Sequence, residues 1–304
     1  MQEKPIALAA LFIGAAAIAM APILVRQSVC SPAASAFWRM ALAAPLLWCW
    51  VFAAERRMRA INPPRRKLLA LAGLFFACDL ATWHLSILRT SIANATLELN
   101  LAPIFVALGG WLLFRQSVSR LFLLGLMVTM GGASILIGPH LRVDDGANGD
   151  ALMGDGLGVM AGFFYACYML SIKSASSTVS TARIMAVSTT VSALILAPLV
   201  LYGGGKIFPA DMSGWMILLT LAVVVHVIGQ SLIAFGFAKL PAALSSVSLL
   251  LQPVMAAIYA WILLGEAMTL LSMLGAAIVL VGIYIAKRAS ERATGSHIST
   301  RTLQ

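Results

Sequence analysis

Charge is what this 304-residue chain has least of: 11% of its residues are Asp, Glu, Lys or Arg, where a soluble domain carries about a quarter. Hydrophobic residues make up 61%, and the mean hydropathy is +0.95. Such a chain cannot cover a water-facing surface and must be solvated by lipid. Acids are scarcer still, 11 against 21 basic residues, for a net charge of +10. A basic excess points to nucleic acid when it lines one folded face. Here it falls in short breaks between apolar runs, so no nucleic-acid partner is expected. Cysteine is sparse and unpaired: Cys30, Cys49, Cys78 and Cys167 form no CxxC, which excludes a disulfide framework or a zinc site. His84, His140, His226 and His297 are scattered, with no HExxH and no Ser-His arrangement. An enzyme is therefore not expected, nor a metal or other cofactor. Gly203-Gly204-Gly205-Lys206 lacks the spacing and the following Ser/Thr of a phosphate-binding loop, which argues against an ATP-driven pump.

What is present is a succession of apolar runs. Crossing the hydrocarbon takes roughly 20 such residues in a helix. Stretches of that kind fall near 6–25, 33–54, 68–88, 92–114, 121–138, 156–172, 184–202, 215–237, 243–264 and 269–286. Ten membrane helices are expected, most of them joined by short connections. The first is too long for the 7–15-residue core of a secretory signal, although Lys4 precedes it and small residues end it.

Basic residues orient the spans. Arg26, Arg89, Arg142 and Lys206 fall in segments on one side and Arg39 lies inside a helix, which leaves sixteen of the 21 on the other side. The positive-inside rule then places both termini in the cytoplasm. Residues 139–155 carry Asp144, Asp145, Asp150 and Asp155 with Gly146 and Gly149, and read as an outer connector. The expected division is a first repeat over 1–138, the connector 139–155, a second repeat over 156–288 and a disordered cytoplasmic tail over 289–304.

The repeat is visible at an offset of 150 positions. Pro103 falls on Pro253, Trp111 on Trp261, Gly125 on Gly275 and Gly132 on Gly282. Each unit holds five spans. Five is odd, so the second copy enters the membrane the opposite way, and inverted repeats of this kind are characteristic of secondary transporters. The expected fold is thus an all-α membrane protein of ten helices in two inverted five-helix repeats. Pro103 and Pro253, near the middles of helices 4 and 9, each bend their helix and are the expected hinges.

Several short motifs hold one order along the chain. They are Pro32 with Ala36-Phe37-Trp38-Arg39, Gly154-Asp155 ahead of Tyr165, Leu263-Leu264-Gly265-Glu266, and Gly275 with Gly282. On these residues the whole chain resembles the EamA branch of the drug/metabolite transporter superfamily. One departure is Arg115-Gln116, where the second copy has Gly265-Glu266. Within the branch the chain is similar to bacterial aromatic amino-acid exporters. The resemblance implies a multi-pass protein of a bacterial inner membrane that exports amino acids, aromatic ones preferred, by alternating access around a central cavity. Export of other small organic solutes or drugs is the alternative. The expected partners are a small-molecule substrate and the bilayer, with a monomer as the working unit.

A charged residue at membrane depth costs on the order of 3 kcal/mol, so each one requires an explanation. Arg39 lies about six residues, roughly 9 Å, inside helix 2. Glu98 lies at similar depth on helix 4, His84 is shallower on helix 3, and Asp79 is near the centre. An amino acid is a zwitterion: Arg39 suits its carboxylate, and Glu98 or Asp79 its ammonium. The competing reading is an Arg39–Glu98 ion pair, which the resemblance favours because it places Arg39 in a motif shared by relatives with many substrates. His84 and His226 are further ionisable candidates, Asn100, Ser248 and Gln252 are further candidate contacts, and Gln230 is an uncharged companion. Trp83 and Tyr165 are the expected aromatic walls.

Overall fold

Lipid offers no water to exposed backbone polar groups, so a chain this apolar must satisfy them inside helices. The computed structural model describes residues 3–55, 66–90, 92–115, 118–138, 149–265 and 269–301, and every regular element among them is helical. Ten helices are long and apolar enough to cross a membrane. They are α1 Glu3–Gln27, α2 Pro32–Glu55, α3 Arg66–Ile87, α4 Ala95–Phe114, α5 Arg120–Ile137, α6 Leu152–Ala175, α7 Thr181–Tyr202, α8 Met212–Lys239, α9 Ala242–Leu264 and α10 Leu270–Arg292. Each coincides with one of the ten stretches read from the sequence. The helix leading into α6 already begins at Gly149, and that of α10 continues to Arg301, into the stretch expected to be a tail. His140, Asp144, Asp145, Gly146, Gln116 and Glu266 lie outside the described residues.

The packing has the symmetry of the repeat. Helix α3 packs on α6, and its counterpart α8 packs on α1; α5 packs on α10 and α2 on α7, each on its own counterpart. The α5–α10 seam shows the sense of the relation. A Cβ added to Gly125 would meet the Gly282 carbonyl at 3.0 Å, and one added to Gly132 the Gly275 carbonyl at 2.9 Å. The number rises along α5 as its partner's falls along α10, so the two helices run antiparallel. Equivalent helices that pack antiparallel are related by a two-fold axis perpendicular to them, which lies in the membrane plane.

Helix ends repeat as well. Helix α4 ends at Arg115 with φ 51°, its N–H bonded to the Gly110 carbonyl, and α9 ends at Gly265 with φ 69°, bonded to the Ala260 carbonyl. Both are left-handed caps, and the first copy sets an arginine where glycine is usual. Ser119, Ser180 and Asp211 cap the N-termini of α5, α7 and α8.

The Asp211 carboxylate, outside the spans, accepts the Gly214 N–H at 2.8 Å, and this bond holds its pKa below the ordinary carboxylate value. A depressed pKa means that the cap stabilises the folded chain above the unfolded value, and that the contribution fades as pH falls through the folded one. Asp211→Ala should therefore lower the melting temperature at neutral pH, and the difference should close well below about pH 4. Thermal denaturation in detergent at both pH values would check this.

Candidate functional site

Three spans are broken where proline removes a backbone donor. Helix α1 is Glu3–Ile18 then Ala21–Gln27, α4 is Ile92–Leu99 then Ala102–Phe114, and α9 is Ala242–Ser248 then Leu251–Leu264. Pro22, Pro103 and Pro253 stand at the start of the three second segments. At the breaks the chain tightens to bonds spanning three residues, Leu101 N–H to the Glu98 carbonyl at 3.0 Å and Gln252 N–H to the Leu249 carbonyl at 2.9 Å. A fourth span, α8, keeps its bonds but widens to a π-helix over Leu221–Gln230, a form concentrated at functional sites.

All three breaks line one cavity, together with both ends of the π-helical run. The cavity encloses about 1200 Å³ of empty space, open water at its mouth included. Arg39 enters it from α2, and Phe76, Asp79, Trp83 and His84 from one face of α3. Asn100, Pro103, Gln252 and Pro253 enter from the breaks, and Tyr165 and Gln230 from α6 and α8. Ten residues singled out from the sequence are thus brought together: Arg39, Asp79, Trp83, His84, Asn100, Tyr165, Gln230, Gln252, Pro103 and Pro253.

Three others, Glu98, Ser248 and His226, are not among the lining residues. Glu98 turns toward α6, where a Cβ on Gly158 would run into its Oε2 and Asp155 acts on it electrostatically. Ser248 is fully buried and donates to the Leu244 carbonyl of its own helix at 2.9 Å, the usual habit of a mid-helix serine. The Arg39–Glu98 ion pair is not formed. The carboxylate whose charge acts on Arg39 is Asp79, a residue 4% exposed.

The aromatic wall is built in layers. Phe76 stacks on Tyr168 at 4.4 Å between ring centroids and on His226 at 5.5 Å. The Trp83 ring stands edge-on to His84 at 5.0 Å. His226 sits behind Phe76, fully buried, with Nε2 2.7 Å from the Thr189 hydroxyl. The His84 Nδ1 lies 2.5 Å from the Leu80 carbonyl. A carbonyl only accepts, so Nδ1 carries the proton and a neutral ring leaves Nε2 as an acceptor.

The polar atoms of this wall are poorly satisfied. Arg39 Nε, Trp83 Nε1, His84 Nε2 and Asn100 Nδ2 are shielded from water and have no hydrogen-bond partner. Each such atom costs about 1–3 kcal/mol. Folded chains tolerate such a concentration mainly at functional sites. Sequence reasoning passed over Pro22, which stands close to the end of its span rather than at its middle, and weighed Gln230 only as a companion. The π-helix has no signature in the residues that form it.

The model of the EamA-like transporter family matches the chain twice, over residues 5–138 and 152–287. The chain belongs to the EamA-like transporter family. Each match spans five of the ten helices, so the family pattern and the 150-residue offset describe the same duplication. Two uncharacterized transporters of Archaeoglobus fulgidus are similar to this EamA-like chain. One is 26% identical over 231 residues, 76% of this chain and 80% of the relative. The other is 24% identical over 258 residues, 82% and 86% of the two chains. A solved crystal structure superposes with a TM-score of 0.80 over 94% of this chain and 98% of the other, at 15% identity. That likeness is one of fold. The protein is a multi-pass membrane transporter of the EamA-like family.

Proposed function

We propose that this transporter exports amino acids, aromatic ones preferred, by alternating access around the cavity described above. One observation carries the reading: Arg39 and Asp79, of opposite formal charge, line the same cavity as Phe76, Trp83 and Tyr165. A zwitterion with an aromatic side chain needs a cation, an anion and a ring-lined wall within the length of one molecule. The broken helices supply the means of movement, with Pro103 and Pro253 as hinges in matched helices of the two repeats.

The cavity residues of α1, α2 and α3 lie toward the ends of those helices near residues 27–32 and 87–90. The opposite end is tied. The Glu55 carboxylate receives the Ser180 hydroxyl at 2.7 Å and the Arg183 guanidinium, and Lys239 pairs with Glu3 at 3.1 Å. With the termini in the cytoplasm, as the distribution of basic residues indicates, the tied end is the cytoplasmic one. The described state then faces outward, and substrate entry requires that the ties release.

The test is counterflow of radiolabelled phenylalanine in proteoliposomes, run with a His84→Ala variant. Phenylalanine should accumulate against an unlabelled internal pool. His84→Ala should slow it about tenfold, the loss of one buried hydrogen bond. Glu98→Gln should have the smaller effect, because Glu98 faces α6. No movement of phenylalanine, tyrosine or tryptophan would remove the aromatic amino-acid reading. Movement of cationic drugs in their place would establish the broader-solute alternative.

A further inference from the structure

We propose that Gln230 is a positioning residue of the transport cavity, fixing the Tyr165 ring in the wall by bonding the hydroxyls of Tyr165 and Tyr168 together. The inference deepens the reading above, and only the transport arm of its test rests on that reading.

Winding brings Gln230 to the wall. On α3 the lining residues Phe76, Asp79, Leu80, Trp83 and His84 recur at three and four positions, the stripe of a regular α-helix. Helix α8 instead presents Leu221 and Gln230, the two ends of its π-helical run, nine positions apart. At 3.6 residues per turn nine positions make about two and a half turns, which would set the two side chains on opposite faces. Bonds that reach five residues widen the turn to roughly 4.4 residues, and nine positions then make about two turns. Leu221 and Gln230 share a face because the run is π-wound. Gln230 is 1% exposed and is hydrogen-bonded to the hydroxyls of both Tyr165 and Tyr168 on α6. An amide suits this task, since its oxygen and its nitrogen can each serve a hydroxyl. The two rings stand three residues apart on one helix face, with 6.2 Å between centroids. Their settings differ. Tyr168 is fully buried and stacked on Phe76, so packing fixes its ring. Tyr165 is half-buried and lines the cavity, so packing holds it less. Gln230 joins the ring that meets the substrate to the ring that is packed, and a wall ordered in advance costs less to bind against.

The experiment takes the purified full-length protein with 3-fluorotyrosine at its five tyrosines and reads their fluorine resonances, each assigned by its Tyr→Phe variant. Gln230→Met keeps the length of the side chain and removes its hydrogen bonds. It should shift the lines of Tyr165 and Tyr168 and leave those of Tyr259 and Tyr284 in place. In phenylalanine counterflow the same variant should raise KM about tenfold with kcat within about twofold, the loss of one hydrogen bond that orders the wall. Tyr165→Phe removes the other end of that bond; it should shift the Tyr168 line and raise KM by a similar factor, and it serves as the test if Gln230→Met does not fold. The double variant should be no worse than either single one, because both act through one contact. An unmoved Tyr165 line in Gln230→Met, an unmoved Tyr168 line in Tyr165→Phe, additive losses in the double variant, or a fall in kcat at unchanged KM would each overturn the proposal. If the wild type moves no phenylalanine, amino-acid export fails, and the fluorine lines still decide the role of Gln230.

Discussion

Arg39→Leu is expected to reduce transport at least a hundredfold. Among the described residues the guanidinium is the one formally positive group lining the cavity, and the acid whose charge it offsets is Asp79. Its loss removes both the partner of a substrate carboxylate and the counter-charge of Asp79. The second loss is a folding matter, because it leaves the buried Asp79 carboxyl without the cation whose charge acts on it. A single variant therefore confounds two roles. The double variant Arg39→Leu with Asp79→Asn carries no stranded charge. It should run as a monodisperse species on size-exclusion chromatography yet remain inactive in counterflow. Wild-type transport by the double variant would show that the two charges serve only each other. Arg39→Lys should recover a small part of the rate, since an ammonium keeps the charge but lacks the planar fork.

The second large effect is expected far from the cavity. At Gly132 an added Cβ would sit 2.6 Å from the Val279 backbone nitrogen and 2.9 Å from the Gly275 carbonyl. These are backbone atoms of a facing helix and cannot rotate aside. Membrane helices associate through such close packing of small residues, because lipid removes the hydrophobic drive available in water. Gly132→Leu should force α5 from α10, costing about 3 kcal/mol or more, and should lower the melting temperature in detergent by roughly 10 °C or prevent recovery of folded protein. Gly131 is the control, since a Cβ there meets nothing within 4 Å. Gly131→Ala should match the wild type, and a comparable loss in it would show that helix propensity rather than the seam is responsible.

The ten spans were legible because length and apolarity alone decide whether a segment enters lipid, and no tertiary contact competes with that choice. The breaks ahead of Pro103 and Pro253 were legible in part, since proline is a local breaker, yet Pro45 and Pro198 stand inside unbroken helices. What a sequence of this kind conceals is which way a side chain faces. In water an amphipathic stripe marks the inner face of a helix, but in lipid both faces are apolar and the stripe is lost. Glu98 illustrates the result. It lies one turn from Pro103 and at the depth of Arg39, yet it faces α6 while Asn100, two residues on, lines the cavity. Ser246 and Ser248 divide in the same way, the first on the wall and the second bonded to its own helix. Gln230 stayed inconspicuous because its placement follows from the π-helical run, which depends on packing against neighbours rather than on the residues within it.

The two halves match at α4 and α9, whose prolines stand 150 positions apart, but not at their first helices. Helix α1 is interrupted at Ala19–Met20 ahead of Pro22, whereas α6 runs unbroken and contains no proline. Were the halves to trade conformations, α4 and α9 could swap shapes, but the kink in α1 is written into its covalent structure and would stay behind. The vestibules on the two sides of the bilayer can then never be mirror versions of each other. Under the proposed alternating access, a solute would leave through a doorway of a different shape from the one it entered.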